Sequence, residues 1–183
     1  VWGVAWLGGY LTLWTSARAT GTQPEGPAFA VFGVLLLAAV VVTAVHSIRR
    51  TAGTRGVSAR AGAIYGWSWF LGFAAQGAVV AGLAGAGASP ETMALAANGI
   101  ACIVVGLLYL GGAIAFDDRG LLVLGAWILV VAAGATLAGL PGTFLIMALA
   151  GGGGFLIMTA VEHGRVLRRR RGVAGTEAGT SRA

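Results

Sequence analysis

The chain has 183 residues, 57% of them hydrophobic and only 10% charged, with a mean hydropathy of +0.86. A soluble domain carries about 25% charged residues, so this composition excludes an ordinary water-soluble globule and points to an all-α, polytopic integral membrane protein. The net charge of +6 comes from 12 basic residues, all arginine, against six acidic ones, and the arginines fall mainly in two places beside apolar runs; that distribution speaks for membrane topology and against a nucleic-acid surface.

Six apolar spans follow in order. The first, about residues 1–16, is short for the roughly 20 residues that cross a bilayer, and a start at Val1 rather than Met leaves room for residues upstream. A cleaved signal peptide competes for this stretch because Ala17-Arg18-Ala19 fits a small-residue cleavage site. The lack of a basic leader and the presence of Trp2, Trp6 and Trp14 argue against it. Gly21, Pro24, Gly26 and Pro27 then form a turn. The second span, 28–48, closes on His46, Arg49 and Arg50, and the link beyond it adds Arg55 and Arg60. The third, 61–84, opens with Tyr65, Trp67 and Trp69, amphipathic rings that favour a membrane interface. A short link, Gly85 to Pro90, leads to the fourth span, 93–116. The turn Asp117-Asp118-Arg119-Gly120 precedes the fifth, 121–140, and Pro141-Gly142 precedes the sixth, 144–161. Residues 162–183 form a basic tail that fades into a Gly/Thr/Ala/Ser segment expected to be disordered.

These spans make up one expected transmembrane domain, residues 1–161, followed by the tail. With the first span leaving the cytoplasm, the inner links and tail hold eleven arginines and the outer links only Arg18, which places both termini in the cytoplasm. The expected location is a cell membrane, with the bacterial plasma membrane first. Prolines precede each even-numbered span (Pro27, Pro90, Pro141), and tryptophan stands near glycine in each odd one, a weak echo of three parallel helix hairpins. Low-complexity Ala/Gly/Val sequence also produces such echoes by chance. Mitochondrial carriers share a three-hairpin plan, but their Pro-x-Asp/Glu-x-x-Lys/Arg motif is absent.

The most unusual local feature is Gly151-Gly152-Gly153-Gly154 inside the sixth span. Glycine costs roughly 0.8–1 kcal/mol per residue in a helix, yet in membranes it lets backbones approach closely. Two readings are open. The run is either a thin waist crossed by neighbouring helices, with the helix continuous through it, or a break whose freed backbone groups line a polar site. The waist is favoured because no Asp, Glu, Lys, Arg or His lies in the middle third of any span.

Gln76 and Asn98 lie at similar depth on adjacent spans and are expected to meet across a hairpin, as an interhelical hydrogen bond or as part of a polar cavity. Asn98, Cys102 and Gly106 share one helical face by their i, i+4, i+8 spacing. Cys102 is the single cysteine, so no intrachain disulfide forms. His46 and His163 could in principle be haem or metal ligands, but they lack further ligands at metal spacing and read better as interfacial residues; no cofactor or metal is expected. Asp117 and Asp118 read as a solvated turn. Arg165, Arg168, Arg169, Arg170 and Arg171 are expected to contact anionic lipid at the cytoplasmic face.

Neither a Gly-x-Ser-x-Gly elbow, a His-Glu-x-x-His pair nor a Walker A loop is present. The expected function is therefore non-enzymatic. The chain reads first as a structural or accessory subunit that packs against a membrane-protein partner or its own copies, and second as a transporter or channel for a small uncharged solute.

Overall fold

The computed structural model describes residues 1–21, 23–51 and 57–165, and among these it is helical with no strand. The helices are α1 (Trp2–Thr20), α2 (Gly26–Thr51), α3 (Val57–Gly85), α4 (Pro90–Phe116), α5 (Arg119–Ala138) and α6 (Gly142–Ile146). α6 runs directly into a π-helical turn, Met147–Gly152, and then into further α-helix through Arg165. This continuous stretch is called the sixth helix below. The link 52–56, with Arg55, and the tail 166–183, with Arg168, Arg169, Arg170, Arg171 and Arg182, lie outside the described residues.

Local chemistry sets the helix ends. Gly21 closes α1 in the left-handed region at φ 69°, four residues beyond the expected end, because no turn former comes earlier. Ser89 caps α4 by accepting from the Thr92 N–H, and Pro90 sits in its first turn, where a missing N–H costs nothing. The expected four-residue charged turn contracts to two: Asp117 ends α4 at φ 50°, and Asp118 caps α5. The Asp118 carboxylate accepts from the N–H groups of Gly120 and Leu121 at 2.7 and 3.3 Å, so the residues after it are already helical.

Five helices are long and apolar enough to cross a membrane: Gly26–Arg49, Arg60–Gly85, Pro90–Phe116, Arg119–Ala138 and Gly142–Arg165. α1 is not among them, since Thr12, Thr15, Ser16 and Arg18 dilute its apolar residues. It is nonetheless deeply packed. Gly3, Ala5, Trp6, Gly9, Tyr10, Leu13 and Ala17 are buried at three- and four-residue spacing, the signature of one helical face turned inward.

α1, α4, α5 and the sixth helix supply most of the core, with Trp6, Tyr10, Leu13, Cys102, Ile128, Phe144 and Met147 at its centre and Ala28 of α2 at its edge. α2 packs on α1 and α3 packs on α4, one at each flank. α4 and α5 approach backbone to backbone: a Cβ on Gly125 would lie 2.8 Å from the Gly106 carbonyl oxygen. Sequential helices do pair as hairpins, but the pairs occupy unlike positions. α1 is central while α3, its counterpart in the next hairpin, has no buried residue in its most apolar stretch.

Candidate functional site

The sixth helix stays helical through all four glycines, but it is not uniformly α. Gly151 and Gly152 end the π turn, whereas Gly153 and Gly154 begin the α-helix that follows. A π turn holds one residue more than the α ladder around it and leaves its carbonyls imperfectly paired. One of these, on Ala150, accepts the Trp127 indole N–H from α5 at 2.9 Å. The Gly153 N–H is shared among the carbonyls of Ala148, Leu149 and Ala150.

Three of the four glycines are in forced contact. A Cβ on Gly151 would lie 2.8 Å from the Trp6 ring, and one on Gly152 would lie 2.6 Å from the Leu7 backbone nitrogen. On Gly154 it would run into the Trp127 indole, while Gly153 faces open space. α1 crosses one side of the waist and the α5 tryptophan lies across another, so the missing side chains are replaced by neighbouring helix and ring, not by a polar cavity. Spacing alone could not have identified Trp6, Leu7 or Trp127 as the occupants, because they come from residues more than 20 positions away.

Beside the waist an aromatic chain links five helices. Phe32 of α2 meets Tyr10 of α1 with ring centroids 4.8 Å apart, and Tyr10 meets Trp6 at 5.6 Å. Trp6 contacts Phe155 of the sixth helix at 5.3 Å, edge to face. Phe155 reaches Tyr109 of α4 at 6.1 Å, and Tyr109 reaches Trp69 of α3 at 5.6 Å. Such pairs contribute about 0.5–1.5 kcal/mol each beyond area burial. The i, i+4 pair Trp6/Tyr10 is the one part of this chain that sequence spacing could signal.

The polar candidates are brought near one another but not into the expected pair. Gln76 Nε2 donates to the Ala97 carbonyl of α4 at 2.8 Å instead of to Asn98. Asn98 turns the other way: its Oδ1 accepts from the Tyr10 hydroxyl at 2.7 Å, and its Nδ2 donates to the Ala94 carbonyl at 2.7 Å. The expected Gln76–Asn98 contact fails because Asn98 leaves α4 toward Tyr10 of α1, whereas Gln76 reaches the α4 backbone from α3. Gln76 Oε1 is shielded from solvent and has no hydrogen-bond partner among the described residues.

Cys102 is fully buried, and its thiol donates to the Met147 thioether sulfur at 3.5 Å. Two glycines accompany it, Gly99 facing the Thr136 hydroxyl and Gly106 facing Leu129 of α5. This face of α4 is therefore a packing seam.

At the arginine-bearing end, Arg165 pairs with Glu162 at 2.7 Å, both well exposed. Asp118 is committed to capping α5, and His46 and His163 are exposed. Among the described residues no three His, Cys, Asp or Glu side chains cluster as metal ligands would. At the opposite end of α1 and α2 lies a shallow depression of about 380 Å³ lined by Thr12, Ser16, Glu25 and Val31. Comparison with protein-family models, curated proteins and solved structures finds no match to this chain.

Proposed function

We propose that this chain is a six-span integral membrane protein of non-enzymatic type, a structural or accessory subunit. In this reading α1 is the sixth crossing, its modest hydropathy tolerated because neighbouring helices, not lipid, cover much of it. In the same reading the membrane is the bacterial plasma membrane and both termini face the cytoplasm, the orientation that the arginine asymmetry supports. Arg165 and Arg168 to Arg171 then meet anionic headgroups, at about 1 kcal/mol per arginine.

The observation that carries the proposal is the closed waist. A transport site at a broken helix exposes backbone groups to a water-filled path; here Trp6, Leu7 and Trp127 fill the space over Gly151, Gly152 and Gly154. The solute-transport reading retains one supporting observation, the shielded Gln76 Oε1, which has no hydrogen-bond partner among the described residues.

The single thiol separates the two readings. Cys102 of α4 meets Met147, the first residue of the π turn in the sixth helix, so a solute path along that seam would wet it. In intact membranes Cys102 is expected to resist small hydrophilic thiol reagents, while a denatured control labels fully. Rapid labelling that a solute protects against would overturn the packing reading in favour of transport.

A further inference from the structure

α1 presents a stripe of hydroxyls beside its buried face. That face includes Tyr10, Leu13 and Ala17; next to it Thr12, Thr15 and Ser16 stand at three- and four-residue spacing, Thr15 exposed and the other two half-buried. With Glu25 of the following link and Pro27, Ala28 and Val31 of α2, the three hydroxyl residues line the depression of about 380 Å³ between the ends of the two helices.

The lining is rich in acceptors. Thr12 and Thr15 donate their hydroxyl protons to the carbonyls of Gly8 and Thr12, at 2.8 and 3.0 Å, so each oxygen keeps its lone pairs for a ligand. Ser16 Oγ accepts the Glu25 N–H at 2.9 Å, which fixes Glu25 against α1. The Glu25 carboxylate itself makes no ion pair or hydrogen bond among the described residues. Arg18, three residues beyond Thr15 and so on the same side of α1, is steadied by the Trp14 ring at 5.2 Å and forms no ion pair with a described carboxylate. Two opposite charges therefore stand near one depression without neutralising each other.

We propose that this depression binds the headgroup of a phospholipid bearing a primary amine, its ammonium taken by Glu25 and the threonine oxygens and its phosphate by Arg18. A primary ammonium offers three N–H donors, which suits several acceptors at once. A quaternary ammonium offers none, and a glycerol headgroup has no positive charge. Pro27 and Ala28 supply an apolar wall for the ethylene link of the headgroup, and Val31 and Val34, both exposed on α2, supply a track for one acyl chain. Thr12 lies about 12 Å along α1 from its last residue, Thr20, so the depression spans the headgroup layer and the first part of the hydrocarbon. This inference rests on the reading of α1 as a crossing, which brings its Arg18 end to headgroup depth.

The test is native mass spectrometry of the 183-residue chain in detergent with equal amounts of phosphatidylethanolamine, phosphatidylcholine and phosphatidylglycerol. The ethanolamine lipid is expected to be retained about tenfold more than the choline lipid, the scale of hydrogen bonds to a charged group. Glu25→Gln should remove that preference, and Arg18→Gln should weaken retention of all three lipids. Glu91→Gln, at the carboxylate in the first turn of α4, should change neither. Matching thermal unfolding of the variants checks that each one folds. Equal retention of ethanolamine and choline lipids would overturn the inference, as would a preference untouched by Glu25→Gln. Displacement of the lipid by soluble phosphoethanolamine at equal concentration would also overturn it, because the ligand would then be a free solute. Val1→Cys in a Cys102→Ala background tests the crossing separately. Labelling of that cysteine from outside intact cells by an impermeant maleimide would remove the crossing and with it the depth on which the site depends. Labelling only after permeabilisation, with no lipid preference, would overturn the headgroup site and leave the crossing intact.

Discussion

At the scale of single residues, the four glycines are not equivalent, although nothing in their sequence distinguishes them. Gly152 sits against main chain: a Cβ there would lie 2.6 Å from the Leu7 nitrogen and 2.9 Å from its Cα, atoms that cannot rotate away. Gly153 faces open space. Alanine gains about 0.8–1 kcal/mol over glycine in a helix, and overpacking costs about 1–3 kcal/mol. Gly153→Ala is therefore expected to be neutral or stabilising and Gly152→Ala destabilising, the two separated by about 2 kcal/mol or more. Thermal unfolding of both variants in one detergent measures the difference; equal stability would mean that α1 does not cross the helix at Gly152. The same limit on what sequence shows applies to Gln76 and Asn98. Their similar depth was legible from residue counting, but not their partners, because those depend on where α1, α3 and α4 stand relative to one another.

At the scale of the element, the sixth helix carries a π turn that keeps two sets of anchors on their own faces. Thr143, Phe144 and Met147 are buried on one side of the turn, and Phe155 is held between Trp6 and Tyr109 on the other. If the turn contributes one residue beyond an α ladder, removing one glycine restores plain α-helix and leaves every anchor in place. Deletion of Gly153 should consequently be well tolerated. Insertion of a fifth glycine should turn Phe155 by about 100° out of its place and cost about 3–5 kcal/mol, as loss of a buried phenylalanine does. Unfolding temperatures for the deletion and the insertion decide this, and a deletion as harmful as the insertion would contradict the role given to the turn. Sequence indicated a helix here with an unusual glycine run. It could not indicate the π turn, because that follows from the positions of Trp6, Tyr109 and Trp127 on other helices.

At the scale of the whole molecule, hydropathy and burial part company, most clearly in α1 and α3. α1 falls short of a composition-based span yet buries Trp6, Tyr10 and Leu13, whereas α3 qualifies as a span and buries nothing in its apolar stretch. The proposed topology makes a direct prediction about the links. A cysteine at Ala88, in a Cys102→Ala background, should be labelled from outside intact cells by an impermeant maleimide, and one at Asp117 only after permeabilisation. The opposite pattern would invert the protein and with it the headgroup role of Arg165. The sequence by itself determined the helical class and marked six apolar spans, five of which form helices long and apolar enough to cross a membrane, because apolar side chains and backbone groups without water leave a membrane chain few alternatives to helix. Tertiary structure alone decided that three of the glycines are filled by Trp6, Leu7 and Trp127, that Cys102 meets Met147, and that α3 is left bare. The physical reason is that hydropathy reports what a helix can lie against, whereas its actual neighbours are chosen by the fit of side chains from distant parts of the chain.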